Sequence, residues 1–178
     1  MTKPAPATLA PLILSGKFQR LFVEHLGWDI SSGNPLLVTL AKADYSLKPV
    51  AEKKGVKVWV LDAVPDKGTR NEIEKVVVKS DFEHLIIYHT PDFTEQIWQW
   101  PKRLSGRRTV RELSLGRGAN NLSQRLAQIS IDLDEEADLT LGEVNQRLGK
   151  AFDVERVTKR FFTDFQKELK AFTTFING

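Results

Sequence analysis

This chain predicts a mixed α/β (or α+β) fold, on three observations. Val56–Leu61 is a β-branched run that begins by alternating and follows a Lys-Lys-Gly turn. Leu85-Ile86-Ile87-Tyr88 is a short, continuous apolar run of the kind a buried strand carries. Between them, Ile73, Val76 and Val77 share one face of a helix over Gly68–Ser80. Strand, helix, strand at this spacing is a βαβ-like unit. We expect a small mixed sheet with flanking helices, then a helical C-terminal segment. Residues 1–16 form a flexible lead-in, 17–117 the α/β body, and 118–178 a helical tail that packs on the body or links to a following domain.

The elements follow in order. Met1–Gly16 is apolar but interrupted by Pro4, Pro6 and Pro11, which predicts a disordered or extended segment. Lys17–Leu26 predicts a helix, with Phe18, Leu21, Phe22 and Leu26 on one face, Ser15 as cap and Gly27 as stop. Pro35–Leu40 and Tyr45–Ala51 are β-prone, the second with Pro49 at an edge. Thr69 and Glu72 suit a capping pair for the Gly68–Ser80 helix. Glu83–His89 and Thr94–Trp100 read as strands. After Pro101 the glycines Gly106, Gly116 and Gly118 suggest that parts of the basic run are loop. Asn121–Ile131 and Leu141–Phe152 read as helices, the second opened by Thr140 and Glu143 as a capping box. Asp153 to about Ile176 is an amphipathic helix with Val157, Phe161, Phe165, Leu169 and Phe172 on its stripe. Six of the ten Phe lie between Phe152 and Phe175, so that stripe needs a surface to cover it.

Composition narrows the classes. The chain has 178 residues, 41% hydrophobic and 28% charged, which suits one globular domain. Without cysteine there is no disulfide, thiol nucleophile or Cys-based zinc site, which fits a reducing cytoplasm. No apolar run approaches the roughly 20 residues of a membrane helix.

Charge is the strongest functional signal. Lys102, Arg103, Arg107, Arg108, Arg111, Arg117 and Arg125 face one acid, Glu112, directly after Trp98 and Trp100. Arginine and lysine neutralise phosphates, and aromatics stack on bases or brace the surface. We therefore expect Lys102, Arg103, Arg107, Arg108, Arg111 and Arg117 to contact DNA phosphates. The bland alternative is a solvated face with both tryptophans in the core.

Three metal readings are weaker. A restriction-nuclease-like core holds Mg²⁺ with an acid on one strand and an acid-x-Lys on the next. Asp44, Glu52 and Lys54 are the nearest match, although Glu52–Lys54 reads as a turn. Asp132, Asp134, Glu136, Asp138, Thr140 and Glu143 fall at calcium-loop positions, but Ala137 stands where that loop needs glycine, which favours an acidic connector. His25, His84 and His89 have no metal spacing.

Several strings together resemble a family. Ala151-Phe152-Asp153-Val154-Glu155-Arg156-Val157-Thr158-Lys159-Arg160-Phe161-Phe162 is similar to a signature in bacterial type II fused restriction-modification proteins, adenine-specific DNA methyltransferases, and their phage-defence relatives. Val50–Val56, Glu83–Tyr88 and Ile97–Trp100 look similar too, so the resemblance spans about residues 18–178. It implies the N-terminal region of such a protein, cut from a larger chain or encoded alone. The family's Asn-Pro-Pro-Tyr-type motif is missing, the nearest string being Gly33-Asn34-Pro35-Leu36, and no Phe-x-Gly-x-Gly occurs. S-adenosylmethionine would then belong to a missing domain. This chain would carry no cofactor, or Mg²⁺ if it were a nuclease. The implied partners are DNA and a following methyltransferase domain or subunit. The alternative functions are a Mg²⁺-dependent endonuclease domain and a protein-interaction domain without nucleic acid.

Overall fold

The computed structural model describes residues 4–152 except 32, 80–82, 105, 106, 133 and 134, and describes the backbone alone at 102–104, 107–109, 117 and 120. The chain begins with helix α1 (Pro6–Leu14) and helix α2 (Phe18–Arg20), which runs directly into a π-helical turn, Leu21–His25. Strands β1 (Asp29–Ile30), β2 (Leu36–Thr39), β3 (Asp44–Lys53) and β4 (Val56–Leu61) follow. Helix α3 (Lys67–Val77) connects β4 to β5 (Glu83–His89), and β6 (Gln96–Leu104) and β7 (Arg107–Ser114) form a hairpin. Helix α4 (Ala119–Leu126) and a helix over 141–152, here α5, close the described chain.

Seven strands make one open sheet in the order β1-β3-β4-β5-β6-β7, with β2 also paired to β3. Every pairing is antiparallel except β4 with β5. Two parallel strands cannot be joined by a tight turn, and α3 supplies the crossover. The β3–β4 hairpin needs only Lys54 and Gly55, at φ 46° and 92°. Two left-handed residues in succession match the right-handed twist of the flanking strands. Pro49 sits beside a register shift between Pro49 and Ala51, where neither β1 nor β2 pairs with β3. A residue without an N–H is tolerated at such an interruption.

Side chains alternate between two cores. Val56, Val58, Leu85, Ile87, Trp98 and Trp100 face one side, under α1, the α2 turn, α4 and α5. Trp59, Leu61, Ile86 and Tyr88 face the other, against Ile73 and Val77 of α3 and Val38 of β2. Burial on both faces is why β5 is an unbroken apolar run. The mixed α/β sheet with flanking helices is therefore as predicted, and β4 and β5 keep their predicted bounds.

Several local expectations need correction. The expected flexible lead-in over 1–16 is corrected at 6–14: α1 is helical, and Leu9 and Ile13 are fully buried in the core. Pro6 stands in the first turn, where its missing N–H is no loss. Pro11 is inside the helix but exposed, as is Ala7, whose carbonyl loses its usual donor there and can turn to water. Ser15 does not cap α2; its hydroxyl donates to the Pro11 carbonyl at the end of α1. Asp66, not Thr69, caps α3, accepting from the Thr69 N–H at 2.7 Å. Most of the described stretch between Pro101 and Ser114 is strand, because β6 continues to Leu104 and β7 returns over Arg107–Ser114. The stop at Gly27 is real: φ is 77°, and a Cβ there would lie 2.1 Å from the Ile131 carbonyl oxygen. The expected helix from Asp153 onward lies outside the described residues.

The first and last described segments meet in one core. Leu9, Leu12 and Ile13 of α1 share one core with Leu122 and Leu126 of α4, which α1 contacts, and with Leu148 and Phe152 of α5. Trp28 donates to the Ile129 carbonyl at 2.9 Å, and Gln96 donates to the Ile13 carbonyl at 2.8 Å.

Candidate functional site

The basic run lies on the β6–β7 hairpin. Its register sets Arg103 opposite Arg108, Leu104 opposite Arg107 and Lys102 opposite Thr109. Four cationic residues are thus gathered at one end of a hairpin whose second strand ends the sheet order. The side chains of Lys102, Arg103, Arg107, Arg108 and Arg117 lie outside those described. Arg111, opposite Trp100, is half-buried with its Nε shielded from solvent. Arg117 is apart from the hairpin, at the end of a 3₁₀ turn, Leu115–Arg117. Trp98 and Trp100 are core residues and present no face to a base.

A polar network braces the sheet next to this hairpin. The Tyr88 hydroxyl donates to Gln99 at 2.8 Å, Gln99 donates to Glu112 at 3.2 Å, and Arg70 of α3 donates to both Glu112 oxygens at 3.3 and 3.4 Å. Burial pushes the Tyr88 hydroxyl far above its ordinary range, so it stays a donor. Glu112, the one acid of the basic run, is thereby committed to Arg70.

The residues of the nuclease reading are not brought together. Asp44 and Glu52 lie on the same strand, the first and ninth residues of β3, which puts them about 26 Å apart. Lys54 is an exposed turn residue. Of the calcium-pattern acids, Glu136 accepts from Lys53, and Glu135, which lies between pattern positions, forms a two-pronged pair with Arg147 at 2.7 and 2.6 Å. Among the described residues no group of three or more potential ligands is arranged to hold a metal ion. His84 accepts a hydrogen bond from buried Trp59 at 3.0 Å, which is a core role.

Sequence reasoning missed a cleft of about 610 Å³ beside α2, lined by Val23, Ile30, Val50, Val60 and Phe93 together with polar and charged residues. Lys48 pairs with Val60, and Val60 with Ile87. Two residues along the chain from that row stand Ser46, Asp62 and His89, at the carboxyl ends of the parallel pair β4 and β5. The His89 Nδ1 lies 3.6 Å from Asp62 and 2.8 Å from the Thr90 carbonyl, to which it donates. Phe18 and Phe93 flank the imidazole, with ring centres 5.6 and 4.7 Å away. These residues come from five separate segments, each ordinary in sequence, so no spacing announces them.

Three carboxylates are held below their ordinary range. Hydrogen bonds from Thr69 do this to Asp66, those from Thr90 and Thr94 to Asp92, and the bond from Lys53 to Glu136. Each group titrates lower folded than unfolded. It contributes stability that is full above the unfolded pKa and is lost as pH falls through the folded one. Urea midpoints should therefore fall as pH drops from about 5 to about 2. The fall should be shallower in Lys53→Met, where Glu136 has lost its ammonium partner. Midpoints flat across that range would remove these bonds as contributors.

No family model matches the chain, and neither a curated protein nor a solved structure matches it. What the coordinates define is a fold class, an open mixed α/β sheet with helices on both faces. No helix among the described residues is long and apolar enough to cross a membrane.

Proposed function

We propose that this chain is a cytoplasmic DNA-holding module of a restriction-modification or phage-defence system, acting beside an adenine methyltransferase domain or subunit. The observation that supports it is the hairpin register, which converges Lys102, Arg103, Arg107 and Arg108 at one end of the terminal β-hairpin. Phosphate contacts of this kind position a duplex and do not read its sequence. The module would hold DNA while chemistry occurs elsewhere, with S-adenosylmethionine bound by the methyltransferase and not by this chain.

The test is duplex binding across a salt series. Each phosphate contact contributes about 0.9 to the log–log slope, so Arg103→Ala/Arg107→Ala/Arg108→Ala should lower that slope by roughly 2–3. Arg111→Ala should change it less, because that side chain is half-buried. DNA should stay intact with Mg²⁺ present. An unchanged slope in the triple variant would remove the hairpin as the DNA face. Absence of binding even at low salt would leave the protein-interaction reading.

A further inference from the structure

We propose that the cleft beside α2 binds a small amphipathic anion, a flat apolar body carrying one phosphate or carboxylate. At about 610 Å³ it falls within the roughly 300–1,000 Å³ range of ligand sites. Its walls are Val23, Ile30, Val50, Val60 and the Phe93 ring, which favour an apolar body. Its charged lining, Lys17, Arg20 and Lys48 against Glu24 and Asp62, has one more cation than acids and favours an anion. Arg20 is occupied by Glu24 at 2.8 Å, and Asp62 faces His89. Lys17 and Lys48 have no ion-pair partner among the described residues, and the Ser46 hydroxyl stands two residues from Lys48 on β3. Two lysines without acid partners, lining a cleft with apolar walls, match a ligand with one anionic end.

A second observation shows that this corner is built. Phe93 has φ 62°, a conformation that costs a bulky side chain energy and that gathers at functional sites. The Asp92 carboxylate holds that turn by accepting from the Thr90 and Thr94 hydroxyls, each at 2.8 Å. Opposite, Gly16 has φ 69°, and a Cβ on it would lie 2.1 Å from the Phe93 ring. A strained phenylalanine and a glycine that clears its ring together define one wall. The position, outside the carboxyl ends of β4 and β5, is where open sheets with parallel strands form ligand crevices. This inference does not rest on the DNA reading.

The experiment is a titration of the full chain with phenyl phosphate and with benzoate, followed by backbone amide shifts, with inorganic phosphate as the ring-less control. Saturable shifts at Lys48, Val60, Asp62 and Phe93 are expected, with inorganic phosphate at least about tenfold weaker. Lys17→Gln/Lys48→Gln, two exposed positions that leave the core untouched, should weaken binding at least about tenfold. The proposal is overturned if neither aromatic anion gives a saturable shift, if the double variant binds equally well, or if the shifts map to the β6–β7 hairpin.

Discussion

Trp98→Ala is expected to lower the unfolding free energy by about 3–5 kcal/mol. The Trp98 indole is fully buried at the centre of the larger core. Phe18 meets it edge-on at 5.7 Å and Phe22 stacks on it at 6.0 Å. Its N–H donates to Gln96 at 3.2 Å, and Gln96 in turn holds the carbonyl of Ile13. Truncation therefore opens a cavity between the sheet and both N-terminal helices, and it frees an acceptor on Gln96. Trp98→Phe keeps most of the packing and should cost less than half as much. Urea unfolding of the three proteins checks this. A loss under about 1 kcal/mol in the alanine variant would mean that the α1–α2 layer adds little to this core.

Lys53→Ala should cost about 2–4 kcal/mol. The Lys53 side chain is 1% exposed, at the end of β3. Its ammonium donates to Glu136 and lies 3.5 Å from Asp29. It therefore ties β1 and the acidic connector to the sheet across 83 residues of sequence. Alanine removes the packed stem and leaves two carboxylates facing each other without a cation. Lys53→Met retains the stem and loses only the charge. Because Asp29 and Glu136 both reach water, that variant should lose about 1–2 kcal/mol. Equal losses in the two variants would show that charge, not packing, sets the effect; no loss in either would remove the tie.

Sequence reasoning located the sheet's interior well and its margins poorly, for physical reasons. Val56–Leu61 and Glu83–His89 are buried on both faces, so their β-branched runs carry the burial itself. Strand β7 carries almost no apolar pattern: three of its eight residues are arginine, and as an end strand it is covered less. Charge on such a strand also deters pairing with another chain. Helix α1 is obscured by its prolines, though one stands in the first turn and the other faces solvent. The basic run was legible as composition, but its convergence depends on a hairpin register that composition does not carry. The cleft was not legible at all, since it exists only where α2 crosses the sheet.

The meeting of α1 with α4 and α5 has a consequence for synthesis. A helix near residue 10 must wait for partners near residue 120 before its apolar side is fully covered. At about 5–20 residues per second that interval is roughly 5–20 s. Throughout it the side of α1 that α4 covers has no native partner, so the nascent chain is most exposed to holdase chaperones and to aggregation before the last third is translated. Codon changes that slow the ribosome between α3 and α4 should lengthen that exposure and reduce the yield of folded protein without altering a single residue.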